Sequence, residues 1–221
     1  MNTTLLAILA GILAATLLYW LLYPRWLNRW GTTPAELSRS LPGDAAVPRP
    51  RLQYTQAVTI AAPPDAVWPW LVQMGDGRGG LYSYDWLENL VGCNMHSANR
   101  IVPEWQELKV GDMIKIMPAG GPRVERLEPG GLMLLSAFSD GKLQDYDPAG
   151  PKPAAYIDQT WVFALEPGGP GETRLITRFR LDYAPASVLN WLMWILFTAH
   201  ASVVMQRKML LGIKVRAERI H

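Results

Sequence analysis

Hydrophobic and polar positions alternate along several stretches of the chain, which is the pattern of strands in an antiparallel sheet. The alternation is clearest between residues 173 and 183, where uncharged side chains share one face and charged side chains share the other. The uncharged face is Leu175, Thr177, Phe179, Leu181 and Tyr183, and the charged face is Arg174, Arg178, Arg180 and Asp182. We therefore predict a sheet with one buried face and one face in water.

The same kind of pattern predicts further strands at 54–60, 113–117, 124–127, 132–138 and 160–165, with a hairpin turn at 128–131. Pro63 opens a helix that Pro69 should distort, and a second short helix, capped by Ser83, is predicted from Tyr84 to Val91. A long helix is predicted from Ser187 to Glu218. The expected fold class is α+β.

An uncharged run from Leu5 to Tyr23 predicts one N-terminal transmembrane helix, because it is long enough to cross the roughly 30 Å hydrocarbon core. A cleavable signal peptide is the alternative, but no basic residue precedes the run. Aromatic residues typical of a membrane interface follow at its end, namely Tyr19, Trp20, Tyr23, Trp26 and Trp30.

Arg25 and Arg29 follow this run directly, so the positive-inside rule predicts a single-pass protein of the cell membrane with its soluble domain on the cytoplasmic side. We predict an anchor with its flank at 1–30 and a folded domain at 52–221. Between them, residues 31–51 are predicted to form a Pro-rich linker with a short helix that starts at the capping box Thr33–Glu36.

The uncharged segment from Val188 to Val204 raises the alternative of a second membrane span. Asn190, His200 and Ser202 interrupt it, and a crossing would place the basic residues after Gln206 outside the cell, against the charge rule. We expect a helix that is buried by the sheet, and whether the segment touches the membrane stays open.

Gly75, Gly77 and Gly80 match the dinucleotide-binding pattern G-x-G-x-x-G. That pattern requires a strand before it and an acidic residue about twenty positions later for the ribose. A Trp-rich helical segment precedes Gly75 instead, and the next acid beyond the second short helix is Glu104. We expect a tight connection between two short helices, and no nucleotide or other cofactor.

Composition narrows the classes of function. Hydrophobic residues make up 49% of the chain and charged residues 18%, with ten Trp; soluble domains typically carry about 25% charged residues. Membrane contact or a large apolar cavity is therefore expected. A net charge of +2 argues against nucleic acid as a partner. Cys93 is the only cysteine, and its C-x-x-H spacing with His96 supplies too few ligands for zinc, so no metal is predicted.

The segments VTIAAPPDAVW (58–68) and LVQMG (71–75) resemble the start of the SRPBCC or START-like superfamily, which includes polyketide cyclases and lipid-transfer domains. Further segments are similar to a bacterial membrane-anchored branch of unassigned activity, namely YSYDWLENL (82–90), SANR (97–100), PE (103–104) and VGD (110–112). The resemblance implies a helix-grip fold, in which an antiparallel sheet wraps a long C-terminal helix around a deep apolar cavity. It leaves activity undecided, because this scaffold hosts both enzymes and binding proteins.

Aromatic residues on the predicted sheet face and helix are the candidates for lining such a cavity. On the strands they are Trp161, Phe163, Phe179 and Tyr183, and on the helix Trp191, Trp194, Phe197 and His200. Any single aromatic residue of this kind is more often core packing. His200 is expected to be a core histidine with one hydrogen-bond partner; the alternative is a general base.

The candidates for chemistry are Asp85, His96 and Tyr84. Asp85 and Glu88 lie three residues apart, hence on one helix face, where they could form an acid/base pair at the cavity mouth. We prefer the alternative, a solvated surface face on which Glu88 pairs with Arg100. The charged face of the last strand, with its three arginines, is expected to face water, or to contact anionic lipid headgroups.

Two functions from different classes follow. The first is membrane-tethered binding, extending to transfer, of a hydrophobic small molecule or lipid. The second is a cyclase-like or dehydratase-like enzyme acting on a hydrophobic substrate. We favour the first because a tether keeps the cavity beside the bilayer in which such a ligand is dissolved. The sequence identifies neither the ligand nor an oligomeric state.

Overall fold

The structure, a computed structural model, describes residue 11, residues 26–188, residue 190 and residues 200–220. Its strands are β1 (Leu52–Ile60), β2 (Arg123–Glu128), β3 (Leu132–Asp140), β4 (Tyr156–Gly169) and β5 (Glu172–Ala184). Its helices are α1 (Pro34–Ser38), α2 (Pro64–Val72), α3 (Asp85–Leu90) and α4 (His200–Ile220), with a 3₁₀ turn at Pro103–Trp105.

The five strands form one sheet in the order β1-β5-β4-β3-β2, with every neighbouring pair antiparallel. The predicted hairpin between β2 and β3 is confirmed, and Gly131 N donates to Glu128 O in its turn at 2.9 Å. Helix α4 packs against β1 and α2. This order and packing fit a helix-grip fold, as the resemblance implied.

The prediction of a strand at 113–117 is wrong. Only isolated bridges form there, from Met113 to Arg123 and from Met117 to Gly120. Ile114 N donates to Pro122 O at 2.9 Å, but Pro122 has no N–H with which to continue the ladder. The segment therefore turns back at residues 117–120 without forming a regular strand.

Irregular segments cover both edges of the sheet. At the β1 edge, Thr55 N donates to Asn28 O at 2.8 Å and Ala57 N donates to Trp30 O at 3.1 Å. At the β2 edge, Gly111 N donates to Val124 O at 2.8 Å and Val124 N donates to Asp112 O at 2.9 Å. The backbone groups at these positions therefore have partners within the chain.

The main core lies between the inner face of the sheet, α2 and α4. Its largest fully buried side chains include Trp70, Tyr82, Phe163, Met74 and Met133. Within the described residues, the predicted long C-terminal helix is confirmed for α4. Residues 188 and 190 are also helical, and residues 191–199 lie outside the described ranges.

The prediction that the charged face of β5 is wet is wrong. Arg178 is 2% exposed because residues 36–44 lie across it. It donates to Thr55 Oγ1 at 2.9 Å, to Asp44 Oδ2 at 2.6 Å and to the carbonyls of residues 36, 37 and 39. Leu41 packs on the same face within a second apolar cluster. The outer face is therefore covered by residues that follow the predicted anchor, and the boundary at residue 52 stays a prediction.

The ends of two short helices test the capping predictions. At α1 the capping box is confirmed, since Thr33 N donates to Glu36 Oε2 at 2.7 Å and Glu36 N donates to Thr33 Oγ1 at 3.3 Å. At α3 the predicted Ser83 cap is wrong. Tyr84 is the N-cap, without a side-chain bond, and Ser83 Oγ donates to Met205 O at 3.1 Å instead. The Ser83 hydroxyl thus joins α3 to α4.

The glycine run follows α2 and lies beside an antiparallel sheet, so a helix stands where a dinucleotide fingerprint requires a strand, as predicted. Gly75 and Gly80 exchange backbone hydrogen bonds of 3.0 Å, which closes a tight loop. A Cβ at Gly79 would lie 2.7 Å from Gln73 O and 2.8 Å from the Tyr82 hydroxyl. The glycines therefore serve a close approach of backbone segments.

No helix in the ranges that the structure describes is both long and apolar enough to cross a bilayer. The predicted span from Leu5 to Tyr23 falls, except for residue 11, outside those ranges.

Candidate functional site

A cavity of about 500 Å³ lies between the inner face of the sheet and α4. Small-molecule sites in proteins have volumes of this order, roughly 300–1,000 Å³. Its wall is mainly apolar. The sheet contributes Leu135, Trp161 and Phe179, α4 contributes Met205 and Met209, and the loops and α3 contribute Leu81, Leu87 and Ile116.

The cavity opens beside α3. Two of its lining residues, Val91 and Met117, are 71% and 48% exposed, so the wall reaches the surface at these side chains. Trp86 and Leu90 on α3 are also exposed, at 65% and 72%. We call these four residues the apolar rim. Large exposed apolar groups next to a cavity are typical of a surface that meets a ligand, a partner or a membrane.

A line of polar groups fixes the inner wall. The Trp161 indole N–H is within hydrogen-bond distance of Thr177 Oγ1 at 3.0 Å and Gln206 Oε1 at 2.9 Å. Gln206 Nε2 donates to Gln56 Oε1 at 3.3 Å, and Gln56 Nε2 donates to the carbonyls of Leu27 and Val203 at 2.8 and 3.1 Å. This line ties α4 to the sheet and holds the Trp161 ring in one orientation.

Other polar side chains at the wall also have protein partners. The Tyr54 hydroxyl is hydrogen-bonded to Ser202, and burial raises the pKa of Tyr54 well above its usual range. The Cys93 thiol donates to Ile116 O at 3.6 Å, and burial together with the charge of Asp76 raises its pKa. These groups hold the wall together and are already engaged.

Glu88 differs from these groups. It lies on α3, lines the cavity and is 4% exposed. Neither of its carboxyl oxygens has a hydrogen-bond partner among the described residues. Burial, reinforced by the negative charge of Asp85, raises the pKa of Glu88 to about 7. The cavity wall therefore includes a carboxyl group that is about half protonated near pH 7 and that has a free O–H donor in its protonated form.

Helix α3 is inverted relative to an ordinary surface helix. It buries Glu88 and exposes Trp86 and Leu90. The predicted ion pair between Glu88 and Arg100 is wrong, because Arg100 is exposed and no ion pair joins these two described residues. Sequence reasoning placed Glu88 on a solvated face because polar residues of surface helices usually face water. The pattern of six residues carries no signal for the inversion.

The predicted cavity residues are only partly brought together. Trp161 and Phe179 line the cavity. Phe163 packs beside Trp161, with ring centroids 4.8 Å apart, and is fully buried in the core. Tyr183 and His200 are not among the lining residues, and the Tyr183 ring is covered by Arg51 at 5.4 Å. Trp191, Trp194 and Phe197 lie outside the described residues.

None of the candidates for chemistry lines the cavity. Asp85 accepts hydrogen bonds from Ser97 N at 2.8 Å and Ser97 Oγ at 2.6 Å, so its carboxylate fixes the loop at residue 97. His96 is exposed, and the half-buried Tyr84 ring lies 5.8 Å from the Lys208 ammonium. In the described ranges, no three side chains of the metal-binding types His, Cys, Asp and Glu form a group that could hold an ion.

The chain was compared with protein families, curated proteins and solved structures. No family model matches the sequence, and no curated protein matches it. Solved structures similar to the chain include a conserved protein from Geobacillus kaustophilus, with a TM-score of 0.40, 14% identity and coverage of 77% of this chain and 97% of that one. A protein from Nitrosomonas europaea has a TM-score of 0.40, 14% identity and coverage of 82% and 100%.

The Zhui aromatase/cyclase from Streptomyces sp. R1128 is another, with a TM-score of 0.33, 14% identity and coverage of 76% and 94%. The assignment of the fold here rests on the strand order and on the packing of α4 described above.

Proposed function

We propose that the protein binds a hydrophobic small molecule, such as a lipid, in the cavity between the sheet and α4. The observation that supports this is the cavity itself, about 500 Å³ in volume and walled mainly by Leu, Ile, Met and aromatic side chains. Each CH₂ group moved from water into such a wall is worth ~0.8 kcal/mol, so a long apolar ligand needs no charged contact to be retained.

We further propose that residues 5–23 tether the domain to the cell membrane, with the cavity beside the bilayer on the cytoplasmic side. Leu27, just after this run, is buried in a cluster with Tyr54 and Val203. Tyr54 lines the cavity, and so do Ala201 and Ser202 next to Val203. The chain thus enters the domain next to the cavity wall, which favours delivery of a ligand from the membrane, and the apolar rim offers it a route.

An enzyme of the cyclase or dehydratase type acting on the same ligand is the second candidate. The observation that favours it is the carboxyl of Glu88, which has no hydrogen-bond partner among the described residues and has the pKa of a general acid near neutral pH. The binding function is preferred because Asp85 is held by Ser97 and His96 is exposed. Neither of these two side chains is therefore placed to act with Glu88 as an acid/base pair.

The experiment is native mass spectrometry of the full-length protein purified from its host in lipid nanodiscs, followed by extraction and identification of the bound compound. Met205→Trp should fill the cavity, since Met205 lines it, and should reduce the bound fraction at least severalfold. Val215→Trp is the matched control on the same helix, because Val215 is 44% exposed and outside the cavity.

A compound that is present in the wild type and in the Val215 variant, and reduced in the Met205 variant, supports binding in this cavity. An empty wild-type protein, or equal occupancy in both variants, contradicts it. If the identified compound is added back to the purified protein and is recovered in chemically altered form, that result favours the enzyme instead.

A further inference from the structure

The carboxyl group of Glu88 is a feature of the cavity that its apolar wall does not explain. The side chain is 4% exposed and both oxygens lack partners among the described residues. Trp161, Gln206, Ser83 and Cys93, which also line the cavity, all have protein partners. A polar group buried without a partner is unfavourable, so it indicates either a strained site or a missing ligand.

The surroundings of Glu88 favour its neutral form. Asp85 lies three residues earlier on the same helix and contributes a negative charge. The charge of Glu88 contributes to the raised pKa of the nearby Cys93 thiol. Asp76 and Lys115, whose charges also act on that thiol, are paired with each other at 3.1 Å. On α4, Lys208 is exposed and lies over the Tyr84 ring. None of these cations forms an ion pair with Glu88 in the described part of the chain.

A neutral carboxyl group offers one O–H donor. A ligand with an ammonium group would need the ionised carboxylate in an apolar wall, which the desolvation opposes. A ligand with an anionic group would be repelled by Asp85 and would bring its own charge into an apolar wall. An uncharged oxygen acceptor is the remaining partner that costs no buried charge.

We infer that Glu88 donates a hydrogen bond from its carboxylic acid to an uncharged oxygen of the bound molecule, so that the ligand is an apolar compound carrying an uncharged oxygen acceptor, which a carbonyl group can represent in a probe. This inference rests on the proposed binding function. It makes Glu88 the residue that sets the orientation and specificity of the ligand, while the apolar wall sets its retention.

Three probes with the same ring system separate the possibilities, namely naphthalene, 2-acetylnaphthalene and 2-naphthylmethylamine. Their affinities are measured by isothermal titration calorimetry on the full-length protein in nanodiscs, with empty nanodiscs as the blank, between pH 5.5 and 8.5. The variants are Glu88→Gln, which keeps an N–H donor, and Glu88→Leu, which keeps none. Glu107→Gln is the matched control, because Glu107 is exposed and outside the cavity.

The wild type should bind the ketone about tenfold more tightly than naphthalene at low pH, since one hydrogen bond is worth about this factor. The preference should decline as the pH rises past neutrality, because a carboxylate cannot donate. Glu88→Gln should keep the preference at every pH, and Glu88→Leu should bind both probes equally. Glu107→Gln should match the wild type.

Equal affinity for naphthalene and its ketone in the wild type would overturn the inference while leaving the proposed function standing. Preferential binding of the amine that disappears in Glu88→Gln would also overturn it, because Glu88 would then act as a counter-ion. Failure of all three probes to bind any variant would contradict the proposed function itself.

Discussion

Glu88 and Arg178 are both almost fully buried, but their side chains differ in the hydrogen-bond partners around them. Arg178 is surrounded by acceptors, including Asp44 Oδ2 at 2.6 Å and Thr55 Oγ1 at 2.9 Å. Glu88 has none among the described residues. A buried charge without partners is strongly unfavourable, so burial raises the pKa of Glu88 to about 7, whereas the acceptors around Arg178 compensate the burial of its guanidinium.

The stability of the protein should therefore depend on pH through Glu88. The pKa of its carboxyl is about 7 in the folded state and 4.5, the ordinary value for glutamate, in the unfolded chain. Between these values the folded state binds more protons, so the free energy of unfolding should fall as the pH rises from about 4.5 to about 7. The total loss is about 3 kcal/mol, and Glu88→Gln should abolish it.

Chemical denaturation of the full-length protein at pH 5 and pH 8 measures this difference, with Glu107→Gln as the control. Glu36 does not interfere, because its hydrogen bonds to Arg174 lower its pKa to about 2 and its effect lies below pH 4.5. A wild type and a Glu88→Gln variant with the same pH dependence would contradict the raised pKa.

At the scale of elements, α4 is held against the loop before α3 by a close approach. A Cβ at Gly212 would lie 2.3 Å from the backbone carbonyl oxygen of Tyr82. Tyr82 is fixed in turn, because its hydroxyl donates to Trp70 O at 3.0 Å and its φ of 56° is unusual for a residue other than glycine. The loop cannot easily move away from the helix.

Gly212→Ala should therefore destabilise the protein, although alanine is the better helix former by about 1 kcal/mol. The clash with a fixed backbone atom should outweigh this gain and give a net loss of about 1–3 kcal/mol. Thermal unfolding measures the effect. Val215→Ala, on an exposed position of the same helix, should change the stability by less than about 0.5 kcal/mol. A stabilised Gly212→Ala variant would show that the loop can shift.

The elements differ in how well the sequence predicts them, and the differences have physical causes. The capping box at Thr33 and the turn at 128–131 depend on neighbouring residues only, so they are predicted correctly. The segment at 113–117 alternates like a strand, but its ladder fails at Pro122, a residue outside the segment. The inversion of α3 depends on which surfaces the rest of the chain places around it, which six residues cannot encode.

At the scale of the whole molecule, strand order and outer cover are the features that sequence patterns predict least. Alternation in β5 separates two faces correctly but cannot tell water from a covering segment. Glu36 and Asp44 lie more than a hundred residues before the arginines that they pair with, Arg174 and Arg178. Among the predicted cavity residues that the structure describes, Trp161 and Phe179 line the cavity, because each lies on the inner face of its strand and at the level of the cavity.

The proposed orientation in the membrane is also a property of the whole chain. Residues 5–23 followed by Arg25 and Arg29 predict that the C-terminus is cytoplasmic. A C-terminal fusion to a fluorescent protein that matures in the cytoplasm should be fluorescent, and a C-terminal fusion to alkaline phosphatase should be inactive. Exchange of Arg25 and Arg29 for glutamate should weaken this bias. Active phosphatase without fluorescence in the unmodified chain would reverse the orientation.

The covered edges of the sheet limit strand pairing between neighbouring copies of the protein. The proposed tether would confine copies of the protein to two dimensions and bring their domains into frequent collision. An uncovered strand would then offer each neighbour a template for growth into a polymer. Asn28 and Trp30 occupy hydrogen-bonding positions along β1, and Gly111 and Asp112 do the same along β2. Crowding of tethered copies would therefore find these backbone groups of the two edge strands already occupied.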